Sequence, residues 1–168
     1  IMALKSDRHE LQTDISFFMD EAATRGGIAV IGSTTGSGAA MDQGKAVVTY
    51  SASASGKVPM GLLLNDMVDI DLTRQHVNWH KDEIARGGKV TLLTKGWVVT
   101  NSVQGTAPSA GDSAYVAHSG NLGGHALAKE IDHSPLAGSG ALLVGRFLSG
   151  ADEDGYYKVS IDLPNTNV

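Results

Sequence analysis

The sequence predicts a mainly β protein, an antiparallel barrel or sandwich, and three observations carry that reading. Apolar, β-favouring runs recur at roughly ten-residue intervals, the spacing of short strands joined by turns. The joints between them draw on 21 Gly against only 4 Pro, as tight turns demand. The closing run, residues 157–163, alternates: Tyr157, Val159, Ile161 and Leu163 lie on one face, and Lys158, Ser160 and Asp162 on the other. Period two marks a half-buried strand.

Taken in order, the elements begin with a stretch unlike the rest. In residues 1–25, Leu4, Leu11, Ile15, Phe17, Phe18 and Met19 are interspersed with Lys5, Asp7, Arg8, Glu10, Asp14, Asp20 and Glu21. A short helix over residues 16–24 is one reading, although no apolar stripe continues far enough to hold it alone. The stretch is expected to be an arm that docks on something; the plainer alternative is a first helix lying on its own domain. After Gly26 and Gly27, residues 28–31 form a run short enough for a buried strand, and residues 32–44 a small-residue loop. Residues 45–50 are β-rich and run into the Ser/Ala stretch 51–56.

Residues 58–72 are the most apolar part. Leu62, Leu63 and Leu64 are followed by Val68, Ile70 and Leu72 alternating with Asp69 and Asp71, the pattern of a half-buried strand. Within residues 74–85, Thr73 is placed to cap a short helix ended by Gly87 and Gly88, but the apolar spacing is ragged. Residues 89–100 contain two β-favouring runs around Lys95 and Gly96, which predicts a hairpin turn there. A strand at 113–117 follows the turn Ala110-Gly111-Asp112, and strands at 141–148 and 156–163 flank an acidic Gly turn at 149–155.

Composition narrows the function. The 168 residues are enough for one domain with a core, extended by an arm. With no Cys there is neither a disulfide framework nor a thiolate metal site. A net charge of -5 disfavours a phosphate-backbone binder. No apolar run approaches the roughly 20 residues of a membrane span, and no signal-peptide core opens the chain, so a soluble protein is expected.

Three features invite an enzymatic reading, and each has a plainer one. Gly32-Ser-Thr-Thr-Gly36-Ser-Gly38 resembles a phosphate loop but lacks the Lys and the following helix that such a cradle needs. His76 and His80 stand four apart without the His-Glu-x-x-His pattern or a third ligand set by spacing, and His9, His118, His125 and His133 are scattered. No Ser sits in a Gly-x-Ser-x-Gly frame. The carboxylates Asp69, Asp71, Asp82 and Glu83 are the candidates for a glycosidase pair, yet read more simply as one wetted strand face. Asp152, Glu153 and Asp154 read as a solvated turn rather than a cation site. No catalytic residue, metal ligand or cofactor is therefore expected.

The order of segments carries a resemblance. The stretch from Val58-Pro-Met-Gly-Leu-Leu-Leu through His76-Val-Asn-Trp-His80-Lys-Asp-Glu resembles head structural proteins of tailed phages, marine cyanobacterial ones among them. So do Gly87-Gly88-Lys89-Val90 through Lys95-Gly96-Trp97, and the later Ala110-Gly111-Asp112 and Val144-Gly145-Arg146-Phe147 segments. More broadly the chain is similar to phage capsid decoration, or structural cement, proteins. This resemblance covers residues 58–164.

It implies a compact β-barrel or tulip-like domain at residues 28–168, an extended N-terminal arm at 1–27, and at most short helices. The implied partners are the phage major capsid protein and further copies of the chain, a trimer ahead of a dimer, on the outer capsid surface. Neither nucleic acid nor membrane is an expected partner. Leu4, Arg8, Leu11, Ile15, Phe17, Phe18 and Trp79 are the candidate contact residues, since aromatic rings on a charged arm gain by burial in a groove. The alternatives are a tail or baseplate component, a glycan hydrolase, and a small-molecule-binding barrel.

Overall fold

The computed structural model describes residues 4–5, 11–32, 47–53, 57–66, 83–124 and 142–163. They form thirteen strands: β1 (Leu4–Lys5), β2 (Gln12–Asp14), β3 (Phe18–Met19), β4 (Ala23–Thr24), β5 (Ile28–Ile31), β6 (Val47–Thr49), β7 (Pro59–Asp66), β8 (Glu83–Ile84), β9 (Val90–Thr100), β10 (Ser113–Val116), β11 (Leu122–Gly123), β12 (Leu143–Phe147) and β13 (Tyr157–Asp162). A single 3-10 turn at His118–Gly120 interrupts them. The expected β class therefore holds.

One sheet takes the order β11-β10-β12-β13-β9-β7-β5-β6-β3, and β4 pairs separately with β8. This path ends at β11 and β3, so the expected barrel does not close as a ring of paired strands. Its far end returns to the residues before β9 by the single bridge Phe18↔Lys89 and by backbone hydrogen bonds from Met19 to Gly88 and from Val90 to Phe17.

Strand β9 is the hub. Its first half pairs with β7 (Leu62↔Leu93, Leu63↔Leu92) and its second half with β13 (Asp162↔Lys95 to Tyr157↔Thr100). The opposite edge carries β2 at residues 92–95 and β1 at residues 99–100. The hairpin expected at Lys95-Gly96 is corrected by this pairing, since the strand runs through without turning. In its place the register against β2 slips between Gln12 and Thr13, leaving Thr94 as an extra residue. The Thr94 hydroxyl donates to the Gln12 carbonyl (3.1 Å), and the Leu163 N–H donates to the Thr94 carbonyl. Gly96 follows at φ 139°. A bulge bends and twists a strand, and here the bend falls where β7 gives way to β13.

The apolar runs that do not alternate are explained by two cores on opposite faces of the same strands. Ile28, Val30, Leu62 and Leu93 face one core with Val98, Val116, Leu122, Val144, Phe147, Val159 and Ile161. Ala29, Leu63 and Leu92 face a second with Phe17, Met19, Ala23, Val48, Ile84 and Val90. Strands buried on both sides read as continuous hydrophobic runs, as in Leu62-Leu63 and Leu92-Leu93. Strand β13 meets only the first core, and its alternation survives: Tyr157, Val159 and Ile161 are buried while Asp162 is exposed.

Residues 16–24 form no helix; β3 and β4 occupy them. Helix propensity there yields to pairing with distant partners, β6 for Phe18–Met19 and β8 for Ala23–Thr24. The end of the helix considered for residues 74–85 is likewise strand β8, and the remainder lies outside the described residues. Polar groups pin the junctions. Buried Thr100 donates to the Gly26 carbonyl (2.7 Å) and accepts from the Ser102 N–H. The Tyr50 hydroxyl donates to the Thr24 carbonyl (2.7 Å) and accepts from the Gly27 N–H (3.0 Å).

Candidate adhesion surface

Beyond the bulge, alternation on β9 places Val98 and Thr100 inward and Lys95, Trp97 and Val99 outward. On β13 the outward set is Lys158, Ser160 and Asp162, and on β12 it includes exposed Arg146. Pairing then lines up Arg146, Ser160 and Trp97 in one row across three strands. The next row joins Lys158 to Val99, and on the other side Asp162 pairs with Lys95, which pairs in turn with Gln12.

The side chains of these rows touch. The Lys158 ammonium lies 3.6 Å from the centroid of the half-buried Trp97 ring, a cation–π contact. Lys95 and Asp162 form an ion pair at 3.5 Å with both side chains largely exposed, so its net worth is small. Beside Trp97 opens a groove of about 490 Å³ lined by Leu11, Gln12, Lys95, Gly96, Ser160 and Asp162. Glycine at 96 leaves its floor without a side chain. Leu11, at 44% exposure, is a large apolar side chain turned to solvent.

Of the candidate contact residues, Leu11 borders this groove. Leu4 lies in β1, paired with Thr100. Ile15 is half-buried. Phe17, at 8% exposure, is enclosed in the second core. Phe18 is half-buried with the Lys89 ammonium 5.2 Å from its ring centroid. Arg8 and Trp79 lie outside the described residues, as do His76, His80, Asp69, Asp71, Asp82 and most of the Gly32–Gly38 loop. Glu83 is exposed on β8.

Among the described residues no group of three metal-ligating side chains comes together. Asp152 organises the acidic turn, its Oδ1 accepting from the N–H groups of Asp154 and Tyr156. No helix among the described residues is long and apolar enough to cross a membrane. Sequence reasoning missed Trp97, Lys158 and Arg146. Alternation gave the outward face of β13, but only the register reveals which side chains of β9 and β12 share it.

Strands β9, β12 and β13 thus set an aromatic ring and three cations on one outward face, with the exposed Leu11 beside it. The comparison with known families is specific. The family described as structural cement protein (E217 gp24/Pam3 gp6) matches residues 6–162, and the chain belongs to this family of phage structural cement proteins. Its role is structural, in stabilising the phage capsid. The match also takes in the N-terminal third, which the sequence resemblance, centred on residues 58–164, covered only weakly. No curated protein matches the chain.

Proposed function

We propose that the chain binds the outer surface of the capsid and bridges neighbouring capsomers of major capsid protein, acting as a homo-oligomer, a trimer in preference to a dimer. The observation that carries this reading is the family match over residues 6–162. The net charge of -5 agrees with it, since an acidic protein is poorly matched to packaged DNA and well solvated outside. Residues 1–27 act as the contact segment of a body at 28–168. Leu4, Arg8, Leu11, Ile15, Phe18 and Trp79 form the contact set, and Phe17 anchors the segment from within the second core.

Stabilisation is binding linkage: a protein that binds assembled shell and not dissociated subunits favours the assembled state. Many copies on one particle multiply contacts that are weak singly. No catalysis, cofactor, nucleic acid or membrane enters this function. The test compares particles assembled with and without the chain for the temperature at which they release DNA, and locates the chain by electron microscopy. Release at lower temperature without the chain is expected. Equal release temperatures, density at the tail alone, or turnover of a cell-surface glycan by the purified chain would each contradict the proposal.

A further inference from the structure

Strand β9 is bonded to very different neighbours along its two sides. One side carries β7 and then β13, whose buried residues fill the cores. The other carries β1 and β2, which among the described residues pair with no other strand. Leu11, Gln12 and Thr13 are exposed and Asp14 is half-buried, and neither core includes a residue of this stretch. Membership of the second core begins at Phe17, whose carbonyl accepts from the Val90 N–H. Between the two lies a local turn, in which the Ser16 N–H donates to Asp14 Oδ1 (2.7 Å).

A segment with exposed side chains and no share in a core opens well below the free energy of global unfolding, because little apolar surface is lost. Opening at residues 15–16 frees the outer side of β9 from Leu92 to Thr100 and leaves both cores closed. That side fits one sequence, β2 in the register Gln12↔Lys95 with the Thr94 hydroxyl on the Gln12 carbonyl. A second copy carries the same strands, so it replaces every bond that opening breaks.

We infer that β1 and β2 form an exchangeable strap, and that neighbouring copies place their straps reciprocally on each other's β9. The inference rests on the homo-oligomeric, capsid-binding function and names the segment that joins the copies. A hinge of two or three residues reaches only about 7–10 Å, so the copies meet along the outer sides of β9. Crowding on a particle supplies the concentration at which pairing between chains competes with closure within one. Reciprocal exchange closes on itself and leaves no edge open.

The chain has no Cys, so introduced thiols report without interference. Gln12 and Lys95 are exposed and directly paired, at a spacing that a disulfide spans. Chains carrying Gln12→Cys are mixed with longer-tagged chains carrying Lys95→Cys, added to particles, oxidised and separated on a nonreducing gel. Disulfides between the two kinds of chain are expected to exceed those within either kind by about tenfold. A chain beginning at Ile15, which keeps Phe17 and Met19, is expected to melt as one cooperative unit and to sediment as a monomer where the full chain self-associates.

A homo-oligomer that yields no excess of mixed disulfides would overturn the exchange and leave the oligomer standing. Undiminished self-association of the chain beginning at Ile15 would overturn it equally. A full chain that is monomeric both free and on particles would remove the homo-oligomeric function, and this inference with it.

Discussion

A methyl group added at Gly145 would lie 1.7 Å from the Ser160 carbonyl oxygen, and one at Gly120 would lie 2.6 Å from the Tyr50 ring with φ at 78°. Neither neighbour can yield cheaply, because the first is strand backbone and the second is held by two hydrogen bonds. At Gly150 nothing lies within 4 Å. Gly145→Ala and Gly120→Ala are each expected to cost about 2–3 kcal/mol by overpacking and strain, and Gly150→Ala less than about 0.5 kcal/mol. Urea titrations of the three variants check this order. Thr100→Val leaves the Gly26 carbonyl without its side-chain donor and is expected to cost about 1–2 kcal/mol by the same measurement.

Tyr50 contributes an alkaline dependence to stability. Burial pushes its phenol well above the ordinary value of about 10, against the Gly27 N–H, which lowers it, while the charge of Glu21 raises it further. Above about pH 10 the unfolded phenol releases its proton while the folded one keeps it. The unfolded state then binds fewer protons, and stability falls as pH rises. The expected slope is up to about 1.4 kcal/mol per pH unit, absent below pH 10. Tyr50→Phe removes this component, so the difference between variant and wild type narrows as pH rises; a constant gap across the range would refute the assignment.

Strand β9 illustrates what a sequence conveys about an element and what it withholds. Its β-favouring character, the turn at Gly111 and the alternation of β13 are local properties, and all were legible. Lys95-Gly96 was not, because glycine serves a hairpin turn and a strand bulge equally well. What decides is the presence of β7 and β13 along one edge, information stored some thirty residues upstream and sixty downstream. Residues 16–24 failed for the same reason, since β3 and β4 owe their conformation to β6 and β8.

The N-terminal segment has two parts with separable consequences. Phe17 and Met19 close the second core, whereas residues ahead of Leu11 contribute only the short β1 pairing with β9 among the described residues. A chain beginning at Leu11 is expected to melt close to the full-length protein. One beginning at Asp20 is expected to lose several kcal/mol, since each large core side chain removed costs about 2–5 kcal/mol, and to bind a hydrophobic dye. Calorimetry with dye binding distinguishes the two.

The two cores share β5, β7 and the first half of β9, so neither can loosen without exposing the other's ceiling. Met19→Ala in one and Phe147→Ala in the other are each expected to lower a single cooperative transition, by about 2–5 and 3–5 kcal/mol respectively. Two resolved transitions in either variant would mean that the cores are independent.

The strands at the borders of the sheet are very short. β11 and β3, which end the path, have two residues each, and β1 and β2, along the outer side of β9, have two and three. β3 and β11 are also bonded on their outer sides, β3 to residues 88–90 and β11 to residues 102–104, so a stray chain adding itself at these borders would gain few backbone hydrogen bonds, too few to template growth. Copies of the chain brought close together are thereby kept from joining edge to edge into fibrils.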